Sequence, residues 1–473
     1  MNILLIRPPS LLQHLCLLPH TKPMNLAYLA AYIRKFGYNV EIIDYEIEMY
    51  NEIAFFEKLK TNSPGIVGIS CTTSTIKNGA KICAVVKSFS SKIATVVGGA
   101  HANCLPQQTL HEFSDFDYLV YGEGEVTLLE LCDCIQNEKK TEEIKGLVYR
   151  SEGKIIQNPL RDLIEDLDSI PFPARDLFKN RKQPGYSAKG FSNKISSAEL
   201  FTSRGCPFSC AFCAVSAAFG RKARFRKTEF IEEEVKQLIE QNKVKHIVVA
   251  DDTFGLDEER SLEICDIFLS HGVKSWNCET RVDKISKNLL KMMVKSGCRK
   301  VTFGIESGSQ RIRDLIEKNF SFAQIEKAVY WAKEAGIEHI EGNFIIGVHP
   351  SETMEDIEMT REMIHSLPWT IISVAIIVPF PGTAIHEMMK AKDMLHEDID
   401  WEDFEMFGRI PKWHTEHFSA KDLVILQKKM TAEFFLNPKY VFRRLISFKS
   451  CADATSWFFA GGAYLKWYFT GKT

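Results

Sequence analysis

Strand-sized apolar runs alternate with helix-length amphipathic stretches twice along this 473-residue chain, and that alternation constrains the fold more than any other feature. Strand–helix repeats cover both faces of a sheet with helices, which leaves the strands buried and parallel. In residues 1–140 strands are expected at 2–6, 40–44, 66–70, 95–97 and 118–120, with a helix over 25–36 that stops at Gly37, a residue suited to a C-cap. In residues 196–395 strands are expected at 199–203, 246–250, 275–280, 301–305, 340–346 and 373–378. Helices that include 230–241, 261–271, 287–296 and 322–335 separate them. The fold class is α/β: an N-terminal Rossmann-like domain, then a partial (β/α)6 barrel on the TIM plan, then a helical C-terminal segment.

Residues 141–195 supply a hairpin (146–150 with 154–157, turned by Ser151-Glu152-Gly153) and a Pro-bearing linker. The basic, Gly-rich run 181–193 reads either as a strap across the barrel mouth or as a plain tether. Residues 396–473 are helical in pattern, most clearly over 421–435 and 438–447, and rich in aromatics such as Trp401, Phe404, Phe407, Trp413, Trp457 and Trp467. They read as a cap over the barrel. The alternatives are a hydrophobic channel or a helix lying on a membrane surface, since Lys466 and Lys472 flank Trp467 and Phe469.

Ligands of such sheets gather beyond the carboxyl ends of the strands. In the first half those ends carry Thr72, Thr73, Ser74, Gly98, Gly99, Ala100 and His101, with Gly122-Glu123-Gly124-Glu125 opening the next helix. Small residues let a broad ligand approach the backbone, and hydroxyls offer donors and acceptors. No G-x-G-x-x-G follows the first strand, so a dinucleotide reading is weak. In the second half the strand ends carry Asp251, Asp252, Thr253, Arg281, Asp283, Glu306, Ser307, Gly308 and Gly347. Asp251 and Asp252 suit a helix cap, an interdomain contact or a substrate-positioning pair equally.

The first strand of the second half feeds the run Ser203-Arg204-Gly205-Cys206-Pro207-Phe208-Ser209-Cys210-Ala211-Phe212-Cys213. A structural zinc site prefers two paired cysteine knuckles, and no second pair lies nearby. A disulfide framework belongs to small secreted domains, and 13 cysteines in 473 residues are too sparse for one. Thiolates are the usual ligands of iron–sulfur clusters. Three of them suit a four-iron cube with one iron left open to a substrate.

The Cys206/Cys210/Cys213 triad, with an aromatic at Phe212, resembles the signature of the radical S-adenosylmethionine (radical SAM) family. Beside it, Gly-Gly-Ala-His and Gly-Glu-Gly-Glu resemble the cobalamin-binding domain of B12-dependent members. The resemblance implies a [4Fe-4S] cluster on the three cysteines and SAM on its open iron. Arg281 is then suited to the SAM carboxylate through a two-bonded fork. Glu306 and Ser307 lie at the strand end that contacts ribose and methionine, and Phe212, Ile346 and Val378 bracket the adenine. Cobalamin falls to Thr72, Thr73, Ser74, Gly98, Gly99, His101, Gly122, Glu123 and Glu125. The Asp-x-His-x-x-Gly run that gives other B12 proteins a cobalt ligand is missing, which implies base-off binding without a protein histidine on the metal. His101 reads as a loop residue or a corrin contact. The implied activity is C-methylation of an unactivated carbon: one SAM methylates cob(I)alamin, and a second yields the 5′-deoxyadenosyl radical that activates the substrate. The alternatives are a non-methylating outcome such as cyclisation, ring rearrangement or oxidation, or a radical SAM enzyme whose first domain no longer binds cobalamin.

Composition narrows the partners. A formal net charge of -2 with no basic stripe speaks against nucleic acid. The expected partners are an organic substrate and a reductant such as flavodoxin or ferredoxin. Arg7-Pro8-Pro9 ends the first apolar run too soon for a signal peptide, and no run of about 20 apolar residues is present, so peripheral membrane contact is the only kind expected. Reduced thiols and oxygen-sensitive chemistry point to the cytoplasm.

Overall fold

The first five strands are short, apolar and separated by helices, and they pair in parallel as strands buried on both faces do. The computed structural model describes residues 1–10, 22–178, 196–405 and 410–446, with Thr455. β1 (Asn2–Arg7), β2 (Asn39–Asp44), β3 (Ile66–Ser70), β4 (Ala94–Gly98) and β5 (Tyr118–Val120) stand in the order β2-β1-β3-β4-β5. The hairpin of β6 (Leu147–Ser151) and β7 (Lys154–Gln157) joins β5 antiparallel and completes a seven-stranded sheet. The run 181–193, Phe407 and the aromatics from Trp457 onward lie outside the described residues.

The second half forms a six-stranded parallel sheet. β8 (Ser197–Leu200) is followed by a two-stranded antiparallel ribbon, β9 (Ser203–Arg204) with β10 (Arg224–Phe225), and then by β11 (His246–Val249), β12 (Trp276–Thr280), β13 (Cys298–Glu306), β14 (His339–Ile346) and β15 (Ile371–Ile376). The order is β8-β11-β12-β13-β14-β15, and the two end strands do not pair, so the barrel stays open as expected. The strand expected at 199–203 stops at Leu200, because the Asp251 carboxylate takes the amides of Thr202 (2.6 Å) and Ser203 (3.1 Å).

Residues along a strand point alternately to its two faces. Leu200, Val249, Cys278, Phe303, Ile346 and Val374 join one core cluster with the outer helices. The alternate positions face the lumen and are largely polar. There His246 bonds Asn277 at 2.6 Å, Lys300 pairs with Glu341, and Thr302 donates to Glu341 at 3.1 Å. Glu279, on a central strand, opens onto this lumen, and desolvation within the barrel, with the nearby carboxylates Glu341, Glu306 and Asp252, holds its carboxyl above the ordinary value against the pull of Lys300. The interior of this barrel is therefore a polar well and not a packed plug.

After the barrel, Leu395 bridges Trp413, and the helix Ala420–Phe435 docks on β15, where Gln427 donates to the Val374 carbonyl at 2.9 Å. No helix among the described residues is long and apolar enough to cross a membrane. The turn after β13 hangs on fully buried Arg313, which donates to the carbonyls of Ser307 (2.7 Å) and Phe320 (3.1 Å) and to Gln310 (2.8 Å). Arg313→Met keeps the apolar stem but strands those acceptors, so it should lower stability by ~3 kcal/mol, read as a drop in the urea midpoint.

Candidate functional site

The cysteine loop leaves β9 through Gly205, whose φ of +85° and clearance forbid a side chain: a Cβ would lie 2.3 Å from the Lys222 carbonyl. Asp252 takes the Gly205 amide at 3.1 Å, and Asp251 holds Thr202 and Ser203 at the start of β9. The acidic pair thus anchors the loop entry. Cys206, Cys210 and Cys213 are free thiols of intermediate exposure. Burial pushes the Cys210 thiol up against the opposing pull of Lys318 and Arg281, and burial likewise raises Cys213, opposed by the amides that open the helix Ala214–Phe219. The nearby cations are suited to the negative charge of a thiolate-bound cluster. Among the described residues no three such side chains converge as ligands of a single ion. A four-iron cube spreads its thiolates over separate irons and does not ask for that convergence.

Arg281 stacks on Phe208 (3.7 Å to the ring centre). Its fork is already occupied: Nε and Nη2 bond Asp283, and Nη2 also donates to the Lys318 carbonyl at 2.8 Å. Only Nη1 is buried without a partner, so the residue offers one donor and not the two-bonded fork expected from the sequence. Glu306, at φ +68°, pairs with Lys318 at 2.9 Å. Ser307 is fully buried against Thr360. Ile346, 0% exposed, belongs to the outer core, while its neighbour Ile345 packs beside Phe212 with Val378. The period-two alternation of the strand makes Ile345 the lumen-side residue, so Ile346, expected beside the adenine, faces the outer helices instead.

A cavity of about 310 Å³ lies where the two halves meet. Gly98, Gly99, Gly122, Glu123 and Glu125 line it from the first half, and Ser203, Arg204, Gly205 and Asp252 from the second. Its floor runs into the apolar layer between sheet and helices. Gly68 sits in register between Leu5 and Val96, and the missing side chain leaves a hollow roofed by Tyr28, Leu29 and Leu128 of the helices Met24–Arg34 and Gly124–Gln136. Gly99, at φ +98°, brings backbone so close to Cys71 that a Cβ would lie 2.6 Å from its carbonyl. The Tyr28 hydroxyl and the Ser203 hydroxyl are buried there without partners.

The other expected cobalamin residues divide. Thr72 is exposed and caps the next turn by accepting and returning bonds with Thr75, whereas Thr73 and Ser74 are buried. His101, 1% exposed, does not line the cavity: both ring nitrogens are buried without partners, the ring stands edge-on to Trp401 at 4.9 Å, and burial drives its pKa down to about 4.

Glu123 and Glu125 do something the sequence reading missed. Glu123 takes Arg224 at 2.7 and 3.0 Å, Arg204 at 3.0 Å and the Ile164 amide at 2.7 Å, and Glu125 takes Arg204 at 2.7 Å. Both arginines belong to the ribbon that carries the cysteine loop. The signal was the pair of arginines flanking the triad, Arg204 and Arg224, facing a double-Glu loop. Burial alone would raise the Glu123 carboxyl, but Arg224 and Arg204 hold it below its ordinary 4.5.

The pattern of the Radical SAM superfamily matches residues 200–364 and that of the B12 binding domain residues 15–132. The chain is 34% identical to the uncharacterized methyltransferase PH0819 of Pyrococcus horikoshii over 94% of each chain. It is 27% identical to the anaerobic magnesium-protoporphyrin IX monomethyl ester cyclase of Rubrivivax gelatinosus, covering 89% of this chain and 74% of that one. Among solved structures, the cobalamin-dependent S-adenosylmethionine radical enzyme OxsB, with aqua-cobalamin and S-adenosylmethionine bound, superposes with a TM-score of 0.76 at 17% identity, over 99% of this chain and 72% of that one.

Removing one member of a buried ion cluster leaves the others uncompensated. Glu123→Gln should therefore weaken docking of the halves by ~3 kcal/mol and split thermal unfolding into two transitions in calorimetry. Because the folded carboxyl titrates below 4.5, its contribution is complete above that pH and fades as pH falls through the folded value; the wild-type protein should separate into two transitions on acidification, and the Gln variant should not change over that window.

Proposed function

Because this chain belongs to the radical SAM enzymes that carry a B12-binding domain, we propose that it is a cobalamin-dependent C-methyltransferase acting on an unactivated carbon. The observation that carries this reading is the shared cavity, lined by the glycine loops of the first half and by the entry to the cysteine loop of the second. Cys206, Cys210 and Cys213 would hold the [4Fe-4S] cluster, and Arg281 Nη1 is a free donor for the carboxylate of SAM. Gly99 and Gly122 admit a broad planar ring to the backbone. The Gly68 hollow and the Tyr28 hydroxyl suit a nucleotide tail detached from the metal, and among the described residues no histidine lines the cavity, which together support base-off binding. When bound, the cluster with SAM supplies a hydrogen-abstracting 5′-deoxyadenosyl radical and the corrinoid supplies the methyl group. The protein's own work is to hold both sites in one register and to keep water out of the cavity they share. An organic substrate and an external reductant such as flavodoxin or ferredoxin complete the system, in a reducing cytoplasm where the described cysteines stay free.

Two measurements test this. Anaerobically reconstituted protein given cobalamin, SAM and a strong reductant should form S-adenosylhomocysteine as well as 5′-deoxyadenosine, quantified by mass spectrometry. Deoxyadenosine alone, with cobalamin bound, would move the reading to the non-methylating outcome that the Rubrivivax relative's name suggests. Cys210→Ala should abolish SAM cleavage, and cleavage surviving without a cluster would sink the assignment. In equilibrium dialysis, Gly68→Val should weaken cobalamin binding by about tenfold or more while leaving cobinamide, a corrin without the nucleotide tail, unaffected. Equal loss for both ligands would place the tail elsewhere.

A further inference from the structure

The arginine–glutamate cluster joins the two halves on one side of the cavity. A second junction comes from the chain after the barrel. There the 3-10 turn Trp401–Asp403 reaches back over the strand ends of the first sheet. Trp401 packs against two separate apolar clusters, one containing Cys71 and Ala102 under those strand ends, the other containing Ala211, Phe404 and Trp413 behind the cysteine loop. No other described side chain is shared between those two clusters. On the first-domain side the indole edge meets His101 at 4.9 Å, its Nε1 donates to Glu112 at 2.6 Å, and the neighbouring Asp400 pairs with Lys77. On the barrel side the ring lies 5.8 Å from Phe404, which stacks on Trp413 at 6.1 Å.

The described residues around this turn are held at several points. Its base is pinned by the Leu395–Trp413 bridge and by the His396 amide on the Lys412 carbonyl at 2.9 Å. Its tip is capped from within: the Asp400 amide donates to Asp403 at 2.9 Å, and the Asp400 carboxylate takes the Glu402 amide at 3.2 Å. A capped turn transmits position, because few of its own dihedrals are left free to absorb strain. Thr73 and Ser74, expected to touch the corrin, are buried, and this turn packs over their loop.

We propose that the turn is a strut that fixes how far the turn 72–75 and the helix start 99–104 stand from the cysteine loop, with Trp401 as its positioning residue. The proposal rests on the two-cofactor reading above, since only a reaction shared by both halves needs that separation held. Reacting centres held about 1 Å off their place lose rate by about a hundredfold, so a rigid spacer between two cofactor sites has a direct use.

The test is amide hydrogen exchange on the full-length, cofactor-loaded protein. Trp401→Ala should speed exchange about tenfold or more in 72–77, 99–105 and 206–216 while leaving the helices Glu258–Ser270 and Phe322–Ala335 as in the wild type. Trp401→Phe, which keeps the ring in both apolar clusters, should restore most of the protection. In the same samples the Ala variant should keep 5′-deoxyadenosine formation within about twofold, while S-adenosylhomocysteine formation falls about tenfold, because only methyl transfer needs the halves in register. Unchanged exchange in the loops of both halves overturns the strut. So does exchange raised uniformly along the chain, which would make Trp401 a general core residue. If the wild-type protein forms no S-adenosylhomocysteine, the methyl-transfer reading fails while the exchange result still decides the strut.

Discussion

Everything at the candidate site depends on one buried ion cluster, Arg204 and Arg224 against Glu123 and Glu125. Arg204 stands two residues before Cys206, and Glu123 lies in the loop that ends β5, so the cluster ties the cysteine loop directly to the glycine loops across the domain boundary. Desolvation works against charging Arg204, yet Glu125 and Glu123 outweigh it and keep the guanidinium firmly protonated. Such clusters add little net stability compared with well-packed apolar residues. What they impose is geometry: a guanidinium fork accepts its carboxylates in few orientations. The planar fork of Arg224 on Glu123 and the division of Arg204 between two carboxylates leave the halves little freedom to slide.

Much of this architecture was legible in the chain. The strand–helix alternation placed both sheets, because strands buried on both faces carry a strong apolar signal. The cysteine triad marked the chemistry because its spacing is rare. Gly99 and Gly122 marked the cavity because their positive φ and close neighbours disfavour any side chain. Gly68 passed unnoticed: a glycine inside a strand only becomes a hollow once Leu5 and Val96 are known to flank it in register.

The misreadings share a cause. Ile346 was one residue out of phase, because an apolar run buried on both faces hides which side looks into the lumen. Arg281 was credited with a free fork because its partner, Asp283, is only two residues away and local enough to be overlooked. Glu123 and Glu125 do line the cavity, but their ion pairs could not be read from the sequence because Arg224 and Arg204 lie 101 and 79 residues further along the chain. Sequence patterns report which groups want partners. They do not report which partner arrives first when the chain closes.

The polar lumen fits the same logic. A TIM-type barrel that only had to be stable would fill its centre with layers of branched apolar side chains. Here Lys300, Glu341, Asn277 and His246 satisfy one another along the inner wall, and Glu279 faces open space one residue below the strand end that carries Arg281. Buried polar groups of this kind hold their rotamers only while every bond is made, so the wall is stiff although it is not packed. The end strands of the barrel, β8 and β15, do not pair with each other. In the described chain the first domain is fastened to the barrel by the polar contacts of Glu123 and Glu125 and by the aromatic contacts of Trp401. With the contact of helix Ala100–Cys104 against helix Ala214–Phe219 and the Lys22 bond to the Ser197 carbonyl, these fasteners define a separation, where a single one would define only a hinge.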